Sequence, residues 1–447
     1  MDIIKSLDIE PNNKNLTENL KKDTVGRNKD IFSFISLLKR IKGHYILALD
    51  GQWGSGKTFF VRQCGLLLSN ENLFSEISKK NGVTESFPDY NYIYYDAWEN
   101  DDESDPIASI MYQIMQQTSL PPDIKIQSLI PLISETTKLL LGKDPVSVIN
   151  ALIETVKGAK DVNATSAENN AKLKKTVEQF LEKISKDKKT IIFIDELDRC
   201  NPTYAVKLLE RIKHYFNHDH IVFVFSTNIV ELSKTIKEYY GTDFNGERYL
   251  DRFFDSKVIL PAVNKEKYWH SEYIDINDPN YYFYLTCQRV INYCDFSLRE
   301  IDHFRINAEE ILDIHLIEDD NRISRLIKFG FAPILLGLKM LSLDEYNKFV
   351  IGNGINLYKT IIAPIQDSWL KELNLLEPNE TYRETSETIR DGFKTIDPNK
   401  YITELYTKIF TNNFREDSSL RVGTLGIPNH TKETIVRIIN LFNLKEI

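Results

Sequence analysis

Short apolar runs alternate with segments of helical periodicity along the first part of the chain, up to Pro261. The runs are rich in Ile, Val, Phe and Tyr, and they predict strands at His44–Asp50, Tyr90–Tyr95, Thr190–Asp195, Ile221–Phe225 and Lys257–Leu260. The periodic segments predict helices, among them Asn28–Ile41, Pro106–Gln116 and Tyr204–Phe216. Nearly continuous apolar strands that alternate with helices are typical of a parallel sheet covered on both faces. The pattern therefore predicts an α/β fold.

Two longer regions carry no strand signal. Residues 102–188 predict a helical insertion between the second and third strands, with a helix at Val146–Val156 and a polar loop at Asp161–Asn170. Beyond Pro261 the pattern is mostly helical to the end. An apolar stripe in the last helix is typical of core packing, and it consists of Ile435, Ile438, Ile439 and Phe442. The polar residues 1–22 are expected to form a loose arm.

The composition narrows the class of protein. Hydrophobic residues make up 42% of the 447 positions and charged residues 27%, which is typical of soluble globular proteins with several domains. The formal charge of -9 argues against a generally basic, nucleic-acid-coating surface, although a local basic groove stays open. The four cysteines form no CxxC pair, which excludes a zinc ribbon and is typical of a reduced, cytoplasmic protein.

No membrane insertion is expected. The N-terminus shows no apolar segment of the kind found in signal peptides. The most apolar stretch, Phe329–Leu338, is about half the ~20 residues that a spanning helix needs, and it contains Pro333.

A glycine-rich turn follows the first predicted strand and fits the pattern GxxxxGK[ST]. Glycine at positions 51, 54 and 56 lets the backbone turn tightly and direct successive N–H groups at phosphate oxygens. The loop opens a helix, whose N-terminus also favours an anion. Lys57 is expected to reach the terminal phosphates and Thr58 to bind Mg²⁺. The candidate nucleotide contacts are Gly51, Gln52, Trp53, Gly54, Ser55, Gly56, Lys57, Thr58 and Phe59.

Acidic residues follow the third predicted strand, at the edge of the sheet where the phosphate loop is expected. Asp195 is predicted to hold Mg²⁺, and Glu196 is the candidate general base that activates the attacking water. Asp198 and Arg199 beside them are interpreted either as a structural ion pair or as a functional contact. Asn228 follows the fourth strand and is the candidate for orienting the water, with an N-cap role for the next helix as the alternative.

Together these motifs resemble the KAP family of P-loop NTPases over Asp23–Asn307. The most specific similarities are the tryptophan within GQWGSGKT, the YDAWE segment that begins at Tyr95, and DELDRC after the third strand. The family usually has two aspartates where this chain has Asp195 and Glu196. The glutamate still supplies a carboxylate, so we do not interpret the change as loss of hydrolysis.

The resemblance implies an ATPase core with an additional strand between the Walker A and Walker B strands, a helical lid, and oligomers that share nucleotide sites. It further implies that Arg252 reaches a γ-phosphate across a subunit interface, that Arg299 acts as a second sensor, and that Arg27 lies near the base and ribose. For each of Arg252 and Arg299, a surface arginine without such a role is the alternative. Bacterial relatives are often linked to defence against phage, and the membrane helices of many members have no counterpart here.

The patterns and the resemblance together predict the domains. They are a polar N-terminal arm (1–22), a P-loop core (23–265) with its helical insertion (102–188), a helical lid (266–310) and a mostly helical C-terminal domain (311–447).

The sequence is compatible with two main functions. The first is a Mg²⁺-dependent ATPase that drives or gates an oligomer; ATP is favoured over GTP because no NKxD-like motif is present. The second is a slow nucleotide-dependent switch or scaffold that regulates an effector protein. A nucleic-acid motor is a third possibility, against which the acidic charge balance counts.

Overall fold

The computed structural model describes residues 10–102, 106–118, 188–269, 277–314, 321–366, 369–370, 373–375, 380–382, 394–411 and 420–441, together with part of 171–185. The chain forms two compact units, a first unit of Ile9–Asn264 and a second unit made from Lys265–Ile447. Most of the predicted insertion at 102–188 lies outside the described residues, as do Val146–Val156, Asp161–Asn170 and Phe442.

A five-stranded parallel sheet forms the centre of the first unit. Its strands are β1 (Tyr45–Asp50), β2 (Asn91–Asp96), β3 (Thr190–Asp195), β4 (Ile221–Thr227) and β5 (Ser256–Ile259). They are arranged in the order β2-β3-β4-β1-β5, so β4 lies between the strand before the phosphate loop and the strand before the acidic turn. The parallel α/β fold is confirmed, and the predicted strand ends agree with the observed ones to within a residue or two.

Helices pack against this sheet. They are α1 (Asn13–Lys22), α2 (Asn28–Arg40), α3 (Lys57–Ser69), α4 (Glu71–Lys80), α5 (Pro106–Gln117), α6 (Pro202–Tyr215), α7 (Ile229–Tyr240) and α8 (Gly246–Leu250). Asparagine side chains cap several N-termini by accepting backbone N–H bonds, for example Asn70 before α4 and Asn201 before α6. Pro202 follows Asn201 at the first helical position, where its missing N–H costs nothing.

The core lies on both faces of the sheet because alternate strand residues point to opposite sides. In β1, Ile46 and Ala48 belong to one buried cluster, whereas Leu47 and Leu49 belong to the other. Helix α3 approaches the sheet closely at Gly65, where an added Cβ would lie 2.0 Å from the Tyr92 ring. The third turn of this helix is therefore packed directly against β2.

The N-terminal segment differs from the loose arm expected for residues 1–22. Residues 13–22 form α1, which Asn12 caps and which buries Leu16 and Leu20. Leu20 packs into the same cluster as α2 and α3. Two leucines at i and i+4 are enough to dock a helix that is otherwise polar, and this weak signal is easily missed.

The second unit is mostly helical. Its helices are α9 (Lys265–Trp269), α10 (Tyr281–Cys294), α11 (Leu298–Asp313), α12 (Asn321–Arg325), α13 (Ala332–Leu341), α14 (Leu343–Lys348), α15 (Ile355–Ile362), α16 (Pro398–Phe410) and α17 (Thr431–Leu441). Three of the four stripe residues near the end, Ile435, Ile438 and Ile439, are buried, which confirms core packing for them.

Four short strands in the second unit were not predicted. They are β6 (Glu380–Tyr382), β7 (Lys394–Ile396), β8 (Leu420–Val422) and β9 (Leu425–Ile427). Each has only three residues, too few for an alternating pattern to be recognised. Across the described part of the chain, every helix is too short or too polar to cross a bilayer.

Candidate functional site

The phosphate loop connects the carboxyl end of β1 to the first turn of α3. Gly54 and Gly56 have φ values of 71° and 83°, in the left-handed region that favours glycine. The Ser55 backbone N–H and hydroxyl both donate to the Gln52 carbonyl, at 3.3 and 2.6 Å. Helix α3 starts at Lys57 without a side-chain cap. Its N-terminus is therefore suited to an external anion.

Lys57 lies at the base of this loop and is only 6% exposed. Its Nζ donates to the carbonyls of Gly51, at 2.8 Å, and Gln52, at 3.1 Å. Burial lowers the pKa of Lys57, and the nearby carboxylates of Asp198, Glu196 and Asp195 oppose that shift. The ammonium group is thus placed between the loop and the acidic turn.

Asp195 ends β3 and is fully buried. Tyr94 Oη, on the neighbouring strand β2, donates to Asp195 Oδ2 at 3.0 Å. Burial raises the pKa of Asp195, and hydrogen bonds from Thr58, Ser226 and Tyr94 oppose the shift. The Arg62 guanidinium lies 4.1 Å from the centre of the Tyr94 ring. The carboxylate is therefore held in one orientation from several sides.

Glu196 follows in a left-handed backbone conformation, with φ at 60°. Its Oε1 accepts from Thr58 Oγ1 at 3.4 Å, and its Oε2 forms an ion pair with Arg199 Nε. Burial raises the pKa of Glu196 to about 7, with Asp195 adding to the shift and Arg199 opposing it. A carboxylate with a pKa near neutrality is suited to accept a proton from water.

Asp198 and Arg199 do not form the ion pair considered from the sequence. Asp198 is 6% exposed, and it accepts from Trp53 Nε1 at 2.5 Å and from Thr227 Oγ1 at 2.9 Å. Arg199 instead pairs with Glu196 and lies 5.3 Å from the centre of the Trp98 ring. The two adjacent residues therefore contact different parts of the site.

Asn228 lies at the carboxyl end of β4 and caps α7. Its side-chain oxygen accepts from the backbone N–H groups of Val230, at 3.1 Å, and Glu231, at 3.3 Å. The N-cap alternative is therefore the role that the structure displays. A water-orienting role stays a prediction, and it falls to the amide nitrogen of Asn228, since the oxygen serves the helix.

The three predicted arginines lie in different places. Arg27 is 4% exposed, and its guanidinium donates to the Ser55 carbonyl at 2.8 Å and to the Pro261 carbonyl. Burial lowers the pKa of Arg27 to about 10. Arg27 thus supports the phosphate loop by binding a backbone carbonyl of the loop. Contact between Arg27 and a base or ribose stays a prediction. Arg299 is exposed at the start of α11 in the second unit.

Arg252 is exposed in the turn before β5. Because β5 is parallel to β1, with Leu47 paired to Ser256 and Asp50 paired to Ile259, this turn lies at the amino edge of the sheet. The phosphate loop lies at the opposite, carboxyl edge. Arg252 is therefore not brought together with the loop of its own chain.

The register of the parallel strands explains how the remaining site residues come together. Asp96, Asp195 and Ser226 are paired across β2, β3 and β4, and Asp50 is paired with Thr227. All these strand ends lie along one edge, directly beside the loop. Tyr94 and Thr227 are site residues that sequence reasoning missed. Their only sequence signal is a polar group at or near the end of an apolar strand.

The oxygen donors at this edge fit a magnesium ion. Thr58 supplies a hydroxyl and Asp195 a carboxylate, both of the hard type that Mg²⁺ prefers. The loop, the uncapped helix N-terminus and Lys57 fit a polyphosphate. The arrangement is that of a nucleotide site with a basic carboxylate beside it.

Comparison with known proteins agrees with this geometry. Residues 27–268 match the profile of the KAP family P-loop domain, which is more than half of the 447 residues. A comparison with curated proteins gives no match to the chain. P-loop NTPase domains generally bind a nucleoside triphosphate with Mg²⁺. On this match and this geometry, the chain belongs to the KAP family of P-loop NTPases.

Proposed function

We propose that the protein is a Mg²⁺-dependent ATPase whose turnover drives or gates an oligomeric assembly. The observation that carries the proposal is the convergence of Lys57, Thr58, Asp195 and Glu196 at one sheet edge, with the pKa of Glu196 raised to about 7. Bound Mg²⁺ would neutralise charge on the phosphate oxygens during transfer.

Each residue has a distinct task in this proposal. The loop N–H groups and Lys57 bind and orient the phosphates, and Thr58 and Asp195 hold the metal. Glu196 accepts the proton of the attacking water at one of its carboxylate oxygens. Asn228 orients that water through its amide nitrogen. None of these tasks requires a group from outside the first unit.

The position of Arg252 supports a contribution from a second subunit. The turn that carries it lies at the sheet edge opposite the phosphate loop, so it acts on a nucleotide only if another copy presents it. A guanidinium there would neutralise charge that develops on the transferred phosphoryl group. Arg299 is the second candidate for such contact. On this basis we propose a homo-oligomer with shared nucleotide sites.

One observation favours the alternative of a slow switch that regulates an effector protein. The Glu196 carboxylate is ion-paired with Arg199 through Oε2, and this contact opposes the rise in the pKa of Glu196 and so weakens it as a base. A partner that displaces Arg199 would then set the rate of hydrolysis. For the biological setting we propose bacterial defence against phage, which the family resemblance alone supports.

Steady-state ATP hydrolysis separates these two functions. The ATPase proposal expects phosphate release by the purified protein in Mg²⁺ and none when EDTA removes the metal. Negligible turnover at every protein concentration, with ATP still bound, would support the switch instead.

Mixing two inactive variants tests the shared site. Arg252→Ala and Glu196→Gln are each expected to be inactive, because one lacks the donated arginine and the other lacks the base. A mixture would regain activity where an intact Glu196 in one subunit meets an intact Arg252 from its neighbour. Failure of every mixing ratio to restore turnover would contradict a contribution from Arg252 between subunits.

A further inference from the structure

A half-exposed tryptophan in the phosphate loop is tied to the neighbouring strand β4 through a buried carboxylate. Trp53 is 49% exposed, yet its indole N–H donates to Asp198 at 2.5 Å. The second oxygen of Asp198 accepts from Thr227 Oγ1 at 2.9 Å. Thr227 itself is fully buried at the end of β4. The crest of the loop is thereby connected to the sheet by two hydrogen bonds in series.

The base of the loop is connected to the same threonine. The backbone N–H of Gly51 donates to the Thr227 carbonyl at 3.2 Å. Thr227 therefore restrains both the start of the loop, through its main chain, and the crest, through Asp198. Hydrogen bonds to a charged acceptor are stronger than neutral ones, and burial strengthens them further.

Hydrophobic burial of the indole does not explain this contact. About half of the Trp53 surface remains in solvent, so Trp53 is fixed by the hydrogen bond of its indole N–H and not by burial of its ring. Placing a carboxylate at 6% exposure is costly unless its oxygens are satisfied. Both Asp198 oxygens are satisfied, by one donor from the loop and one from β4.

We infer that Trp53, Asp198 and Thr227 form a device, here named the Trp53 clamp, that sets the curvature of the phosphate loop for ATP. The inference rests on the proposed function. Asp198 is a positioning residue in it, because its hydrogen bonds go to Trp53 and Thr227 and it acts on the loop through Trp53. A loop that already has its binding curvature loses less conformational freedom when it binds a triphosphate.

The clamp acts on ground-state binding and transition-state binding alike, since the loop contacts the phosphates in both. Its loss should therefore raise Kd for ATP and KM together and leave kcat nearly unchanged. A change that merely unfolded part of the protein would lower the active fraction, and hence the apparent kcat, without shifting KM. The split between KM and kcat thus distinguishes positioning from general destabilisation.

A double-mutant cycle tests the clamp. Trp53→Phe keeps an aromatic ring and removes the N–H donor. Asp198→Asn keeps the side-chain shape but removes the negative charge, and its one acceptor oxygen can serve Trp53 or Thr227 but not both. Calorimetric titration with a slowly hydrolysed ATP analogue should give about tenfold weaker binding for each variant, as expected for one hydrogen bond to a charged group. The double variant should be no weaker than the weaker single variant, because both remove the same connection.

Tyr240→Phe is the matched control. Tyr240 is also a half-exposed aromatic residue that loses one polar atom on substitution, and it lies at the far end of α7 from Asn228. The affinity of the Tyr240→Phe variant for the ATP analogue should equal that of the wild type. Thermal unfolding of all variants reports any change in stability, and Trp53→Phe decides the test if Asp198→Asn does not fold.

The outcomes separate the clamp from the proposed function. Wild-type binding together with unchanged affinity in Trp53→Phe would overturn the clamp and leave the ATPase proposal intact. Losses that multiply in the double variant would also overturn it, because two independent contacts would then be responsible. No binding by the wild type would overturn both proposals.

Discussion

The two units of the chain bury polar groups of different kinds. In the described residues, the buried charged side chains all lie in the first unit, and they are Arg27, Lys57, Asp195 and Asp198. In the second unit, the buried polar residues within the described ranges are the threonines Thr286, Thr431 and Thr434. Thr286 and Thr431 donate to backbone carbonyls of nearby residues, at 2.9 and 2.8 Å.

This difference indicates where the chain accepts an energetic cost. Burying a charge is expensive, and the first unit does so four times around one sheet edge. The second unit has instead an aromatic core in which Tyr406 donates to the Phe349 carbonyl at 2.8 Å and accepts from the Gly354 N–H at 2.6 Å. The first pattern is typical of a reactive site and the second of packing.

Glu196→Gln should produce the largest effect. Loss of the general base should lower kcat for ATP by about 10²–10⁴-fold while ATP remains bound. Phosphate release and nucleotide binding are measured on the same sample.

The matched control for this substitution is Glu231→Gln. Glu231 also pairs with a cation three residues later, Lys234, at 2.7 Å, but on the outside of α7. The Glu231→Gln variant should hydrolyse ATP at the same rate as the wild type. Equal turnover by Glu196→Gln and the wild type would remove Glu196 from the reaction.

The pH dependence should show the next largest effect. Because burial raises the pKa of Glu196 to about 7, the residue is protonated below that pH and cannot accept a proton. Activity should rise about tenfold per pH unit up to about 7 and then level off. Analogue binding at each pH separates this loss from weaker binding, and a flat rate between pH 5 and 8 would contradict the assignment.

Much of this site could be predicted from the sequence because its motifs are local. The loop glycines, Lys57 and the acidic turn each occupy a short contiguous segment beside an apolar strand. The parallel sheet also followed from strand composition.

The contacts between strands could not be predicted. Tyr94 meets Asp195, and Thr227 meets Asp198, only because the register of three strands aligns their ends. A one-residue shift in that register would point each side chain to the other face of the sheet. The same limit applies to Asp198, whose partner proved to be Trp53 in a distant loop.

Tyr94→Phe, which also changes a residue of the first unit, should have a smaller effect. It removes the 3.0 Å hydrogen bond to Asp195 and leaves the ring above Arg62. We expect about a tenfold increase in the Mg²⁺ concentration needed for half-maximal activity, as for other groups that orient a metal ligand. A Mg²⁺ titration of hydrolysis measures it.

Tyr92→Phe is the control for Tyr94→Phe. Tyr92 lies two residues earlier in β2 and packs its ring against Gly65 and Phe193. The Tyr92→Phe variant should need the same Mg²⁺ concentration for half-maximal activity as the wild type. An identical shift in both variants would indicate a general effect on β2.

Tyr406→Phe should have the smallest effect on activity. In the second unit it leaves the Gly354 N–H and the Phe349 carbonyl unpaired in a buried place, which costs about 1–3 kcal/mol of the free energy of unfolding. Chemical denaturation measures that loss. Kd for ATP should not change, and a large change in Kd would break the division of roles between the two units.

Calorimetric titration of the purified protein with ATP and Mg²⁺ tests the central claim most directly, with Lys57→Ala beside it. The proposed site predicts saturable heat for the wild type and loss of that heat in Lys57→Ala, because the variant lacks the buried ammonium between the loop and the acidic turn. Identical titrations of the two proteins, with or without heat, would contradict it.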